Sequence, residues 1–108
     1  MLTKKISIHV PTTYHDAPAP ENVIDYYVKK TMETLSKLYG GATMTTANGA
    51  YFSPELNRLI VEKNYVIYSY CDSYNLSDIV AICEELKTVF LQESIMYEIA
   101  DNARADFV

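Results

Sequence analysis

The hydrophobic pattern predicts an α+β domain of order βαββαβ, the ferredoxin-like arrangement of a four-stranded antiparallel sheet with two helices on one face. Three observations carry that expectation. Ile6, Ile8 and Val10 alternate with Ser7 and His9, the period of a half-buried strand closed by Pro11. From Glu21 onward Ile24, Tyr27, Val28, Thr31, Leu35 and Leu38 recur at three- and four-residue steps, the period of a helix. Arg58 to Cys71 is the most strand-like run, and both of its alternating sets are apolar over 65–70.

The first strand gives way to a surface loop over 11–20, where Pro11, Pro18 and Pro20 together with His15 and Asp16 exclude regular structure. The first helix spans 21–39, and Gly40-Gly41 supplies the left-handed stop just past its end. Residues 42–52 are rich in Thr and aromatic residues and read as the second strand. Asn48-Gly49 in its middle fits a tight hairpin turn or a bulge; a bulge is favoured, because Ser53-Pro54-Glu55-Leu56-Asn57 is the stronger turn. After the third strand, 58–71, Asn75 with Asp78 three residues later opens a second helix. Ile79, Ile82, Cys83, Leu86, Val89 and Phe90 form its buried stripe, and it ends near 91–93. Ile95, Tyr97 and Ile99 make a last strand, followed by a polar, flexible tail over 100–108. Strands one and three are the expected central pair.

The composition bounds the function. A chain of 108 residues with 49% hydrophobic content is one domain, too short for two and too apolar for disorder. Nine basic against fourteen acidic residues give a net charge of −5, which opposes binding to a nucleic-acid polymer. The basic residues are scattered, so no polybasic membrane patch forms. No apolar run reaches the ~20 residues of a membrane span, and the N-terminus opens directly into a strand pattern; a cytoplasmic setting is expected. Cys71 and Cys83 have no further ligands at metal spacing and read as free, partly buried thiols, so neither a metal nor a cofactor is expected.

Two helices cover only one sheet face, yet the third strand is apolar on both. The second face is therefore expected to be hidden by a second copy of the chain, a partner or a ligand, and a homo-oligomer is predicted. If Ile6, Ile8 and Val10 face the helices, Ser7 and His9 face the open side. Either Glu62, Asn64, Val66, Tyr68 and Tyr70 or Val61, Lys63, Tyr65, Ile67 and Ser69 join them, and the period alone does not choose.

Leu38-Tyr39-Gly40-Gly41-Ala42-Thr43, Gly49-Ala50-Tyr51, Leu59-Ile60-Val61-Glu62, Glu85-Leu86-Lys87 and Gln92-Glu93-Ser94-Ile95 form an ordered set over 38–99. The set resembles the DUF3574 family of small bacterial, plasmid and phage proteins. In those proteins a helix ends in a Gly-Gly turn, an aromatic residue follows a glycine on strand two, and an acidic residue sits on strand three. A Gln-Glu pair closes their second helix. The resemblance implies the same fold and a phage or mobile-element setting, and it implies no particular reaction. This chain departs from it at Tyr51, where many relatives carry Trp, and in its long 11–20 loop.

The chemistry-bearing residues are few. His9 and His15 are the only imidazoles, and neither has a sequence neighbour that makes a dyad. Glu62 interrupts an apolar strand, and Glu93, next to the Gln92 amide, sits where helix two meets strand four. Gly40-Gly41-Ala42-Thr43 follows a helix rather than preceding one, so it is a helix stop and not a phosphate cradle. Ten tyrosines supply stacking faces with polar tips. The residues expected to reach a ligand are His9, Tyr14, Thr43, Tyr51, Glu62, Tyr68, Tyr70, Gln92 and Glu93; no catalytic set is assembled. The leading expectation is a non-enzymatic, oligomeric small-ligand-binding protein, in its sharpest form one that sequesters a nucleotide-type host signal at subunit interfaces. The alternatives are a protein–protein inhibitor or interaction module, and a small acid–base enzyme using His9 or Glu62.

Overall fold

The computed structural model describes residues 1–15 and 17–108; Asp16, assigned above to the 11–20 loop, lies outside the described residues. The elements are β1 (Lys4–Pro11), α1 (Glu21–Tyr39), β2 (Thr43–Ser53), β3 (Arg58–Cys71), α2 (Leu76–Val89) and β4 (Tyr97–Ala100). The antiparallel sheet has the order β2-β3-β1-β4, with β1 and β3 at its centre, as the ferredoxin-like reading requires.

Local chemistry fixes the element ends. Gly40 takes a φ of 92° and donates its N–H to the Ser36 carbonyl, stopping α1. Asn75 caps α2, but its side-chain oxygen accepts from the Ser77 N–H and hydroxyl rather than engaging the Asp78 side chain. The helix stops at Val89, two to four residues before the expected end at 91–93, because Leu91 adopts a φ of 54°. The 11–20 loop is pinned rather than free: Thr12 donates its hydroxyl to the Lys63 carbonyl at 2.7 Å, and Thr13 bridges to Pro18. Past β4, Ala105 exchanges two backbone hydrogen bonds with Leu2, and Lys4 pairs with Asp101 at 3.5 Å.

The expected bulge at Asn48-Gly49 does not form. Partners run one to one from Thr43↔Tyr68 to Ser53↔Arg58, with Asn48 opposite Lys63 and Gly49 opposite Glu62. The Pro54–Asn57 turn absorbs the chain reversal instead: Asn57 sits at φ 50°, and the Ser53 hydroxyl accepts from the Leu56 N–H. With that turn in place the ladder has no need of an extra residue.

The core lies between the sheet and the helices. Ile6, Ile8, Val10 and Ile67 project from the sheet toward Ile24, Val28 and Leu35 of α1 and Ile79 and Leu86 of α2. Phe90, fully buried just past α2, meets the rings of Tyr14 and Tyr27. Phe90→Ala leaves an unfilled hole there and is expected to cost about 3–5 kcal/mol, read as a lower urea midpoint at unchanged slope.

One part of the sheet has no cover. β1 pairs with β3 only over 64–71, whereas β2 pairs with β3 down to Ser53↔Arg58, so residues 48–63 project past the body as a two-stranded arm. The molecule is accordingly long, with extents of 47 × 26 × 25 Å.

Candidate functional site

Register decides which residues share the open face. Ile6, Ile8 and Val10 point to the helices, so Lys5, Ser7 and His9 point away, and the ladder puts Tyr70, Tyr68 and Val66 beside them. The set left open by the sequence is thus Glu62, Asn64, Val66, Tyr68 and Tyr70. Through β2, Thr43 and Tyr51 join the same face, opposite Tyr68 and Ile60. Six of the nine predicted ligand residues therefore lie on one surface: His9, Thr43, Tyr51, Glu62, Tyr68 and Tyr70.

The other three lie elsewhere. Tyr14 packs its ring 6.4 Å from that of Phe90, at the margin of the core. Gln92 donates its amide to the Thr13 carbonyl at 2.9 Å, bracing the 11–20 loop. Glu93 follows α2 on the helix side, beside a shallow depression shared with Val80, Cys83 and Tyr97. Chain geometry brings none of them to the open face.

Five of the six open-face residues form two spots, and His9 lies between them. A strand rises roughly 3.3 Å per residue, so Glu62 and Tyr68 are roughly 20 Å apart along β3. Likewise His9, opposite Val66, is roughly 13 Å from Glu62 along the sheet, too far for the two to act as an acid–base pair within one chain.

The first spot is on the arm. Gly49 faces Glu62 directly, and Tyr51 faces Ile60, which puts the Tyr51 ring diagonally next to the Glu62 carboxylate, with backbones roughly 7–8 Å apart. Having no side chain, Gly49 gives Glu62 no cross-strand side-chain neighbour, and the Asn64 amide takes up part of that gap, the arm notch. A Cβ built there comes within 3.3 Å of the Asn64 amide nitrogen, so even a methyl group crowds the notch. Glu62, Ile60 and Asn64 are half-buried, and Tyr51 is exposed. The spot combines an anionic acceptor, an amide and an aromatic face, with apolar Ile60 two residues along β3 on the same face.

The second spot is at the other end of the sheet. Tyr68 and Tyr70 meet edge to face at 5.9 Å, and the Lys5 ammonium lies 4.3 Å above the Tyr68 ring. Next to them opens a cavity of about 550 Å³, bounded by the Gly40-Gly41 turn on one side and residues 105–107 on the other. Sequence reasoning selected Thr43, Tyr68 and Tyr70 but missed Tyr39, Ser69 and the tail. The available signal was the pair of glycines, which provide a wall without side chains.

Other reactive groups are muted. Burial pushes the Cys71 thiol up, with Lys4 opposing, and burial also pushes Cys83 up, so neither is a ready thiolate. Among the described residues no cluster of His, Cys, Asp and Glu is arranged to hold a metal ion. No helix is long and apolar enough to cross a membrane.

No family model and no curated protein matches the chain, so the DUF3574 resemblance rests on the quoted residues alone. Solved structures do match. A phage SAM lyase in complex with S-methyl-5'-thioadenosine is similar at a TM-score of 0.65 and 21% identity, over 91% of this chain and 80% of that one. The periplasmic divalent cation tolerance protein CutA from Archaeoglobus fulgidus is similar at 0.55 and 11%, over 94% and 85%. A DUF3240 family protein from Shewanella baltica is similar at 0.52 and 14%, over 100% and 99%. At these identities the likeness is one of fold: the chain has the ferredoxin-like architecture of these proteins along nearly its whole length.

Proposed function

We propose that the arm notch binds S-adenosylmethionine, a second copy of the chain closing the open face over it, and that the bound sulfonium is cleaved to S-methyl-5'-thioadenosine. The observation that carries this reading is the Gly49 notch, with the Glu62 carboxylate beneath it and the Tyr51 ring beside it. The fold shared with the phage SAM lyase supports the choice of ligand, and a phage or mobile-element setting agrees with it.

The chemistry suits such a site. Tyr51 offers the adenine a stacking face, and a carboxylate is the usual partner of a ribose diol. Attack of the substrate's own α-carboxylate on its γ-carbon closes a five-membered lactone while the bond from that carbon to sulfur breaks; the electron pair of that bond goes to sulfur and turns a cation into a neutral thioether. A carboxylate touching sulfur would stabilise the charge that is being lost and slow this step; Glu62 therefore acts on the ribose or the ammonium group. Apolar surface at Ile60, sealed by the second copy, strips water from the sulfonium and raises its energy relative to the charge-dispersed transition state.

The test is incubation of the purified protein with S-adenosylmethionine and chromatography with mass detection. Release of S-methyl-5'-thioadenosine well above the spontaneous rate is expected. Binding by calorimetry without release replaces this reading by the second one, sequestration without turnover, which the roughly 13 Å between His9 and Glu62 favours. Neither binding nor release overturns both.

A further inference from the structure

We infer that the cavity between the Gly40-Gly41 turn and residues 105–107 is a second small-molecule site, distinct from the arm notch, and that it takes a neutral planar bicyclic ring of the nucleobase or indole class.

The cavity follows from how the chain leaves α1. β2 begins only at Thr43, opposite Tyr68, while β3 continues through Ser69 and Tyr70 to Cys71, so three residues of β3 run on without a β2 neighbour. The segment that would have filled this place is Gly40-Gly41. Neither glycine has any heavy atom within 4 Å of where a Cβ would stand, so the space beside them is open. The Ser69 hydroxyl donates to the Gly41 carbonyl at 2.6 Å and ties the turn to the end of the strand as a fixed wall. The opposite wall is held too, because Ala105 is tied to Leu2 by two backbone hydrogen bonds.

The lining selects the ligand. Tyr39, Tyr68, Tyr70 and Phe107 are among the residues that line the cavity, with the Tyr68 and Tyr70 rings edge to face, and aromatic lining favours a flat aromatic guest by offset or edge-to-face stacking. At about 550 Å³ the volume lies in the range of small-molecule pockets and exceeds what one six-membered ring would fill. Charge discriminates further. Lys5 stands over the Tyr68 and Tyr70 rings and Asp106 lies in the tail wall, so neither sign of ligand charge gains a net advantage and a neutral ring is preferred. Polar atoms for the ring edge come from the Thr43 hydroxyl and the backbone of the glycine turn.

This site does not depend on the proposed reaction, and the two are separable by position. Titrating the intact, isotope-labelled protein with indole and, separately, with adenine while recording backbone amide spectra is the direct test. Saturable shifts at Gly40, Gly41, Ser69 and Ala105, with Gly49 and Glu62 unmoved, are expected for at least one ring; the tighter of the two identifies the source. Gly41→Leu fills the space at a position with ordinary backbone angles and is expected to weaken that binding at least tenfold, with the thermal midpoint preserved. Absence of shifts at the cavity amides, shifts confined to Gly49 and Glu62, or binding unaltered by Gly41→Leu would each overturn the assignment.

Discussion

Glu62→Gln is expected to reduce release of S-methyl-5'-thioadenosine about a hundredfold while leaving the fold intact. The substitution keeps shape and removes charge. Each hydrogen bond that an ionised carboxylate makes to a ligand donor contributes about 1.5–3 kcal/mol, and loss of the charge weakens any pair it makes with the ribose or ammonium group by roughly that amount. Stability should be spared, because Glu62 has no ion pair among the described residues and sits on the arm, away from the core. Tyr51→Ala is expected to lose roughly tenfold in affinity, the lower end of what one ring stacked on one base contributes. Calorimetry with S-adenosylmethionine separates the two, since removing the ring should act on binding and removing the charge on binding and turnover together. Full turnover by Glu62→Gln would remove the arm notch from the chemistry.

Element limits were legible where a local rule and the apolar period agreed. The span 21–39 was readable because a helical period ends on a glycine that the left-handed position favours, and 58–71 because an apolar, β-branched and aromatic run is bounded by two turns. Gly49 was misjudged for the converse reason. A glycine within a strand signals either a bulge or a close approach, and only the unbroken register with Glu62 shows that it is the second. The candidate site was half legible. Alternation groups residues onto faces, and it correctly united Glu62 with Tyr68 and Tyr70. It carries no sense of distance along the strand, which is why two spots were read as one. Tyr14, Gln92 and Glu93 were chosen by residue type, and their neighbours come from segments remote in sequence, such as the Thr13 carbonyl that holds Gln92. The cavity was invisible because a glycine turn, a strand end and a tail from three parts of the chain enclose it.

The arm is where assembly should be most easily broken. On its helix-side face Phe52 stands opposite Leu59 and Ala50 opposite Val61, and on the open face Tyr51 stands opposite Ile60. In the single chain Phe52 is 58% exposed, Leu59 60% and Val61 58%, an apolar patch that nothing in the fold covers. The outer edge of β2 is also unpaired along Thr43–Ser53, with no bulge to deter another strand. Association with further copies of the chain along the arm is expected to meet both demands. Native mass spectrometry is expected to show a dimer or larger assembly. Phe52→Lys combined with Leu59→Glu should return it to the single-chain mass: the new charges are opposite in sign and directly across the ladder, so the hairpin survives while the patch disappears. Burying a side chain of this size contributes about 1.5–3 kcal/mol, so losing two per arm costs about 3–6 kcal/mol and weakens association by two to four orders of magnitude. Turnover should fall with assembly, although the notch residues are untouched. An unchanged assembly in the double variant would show that copies meet elsewhere, and full turnover by the separated chain would show that the notch needs no second copy.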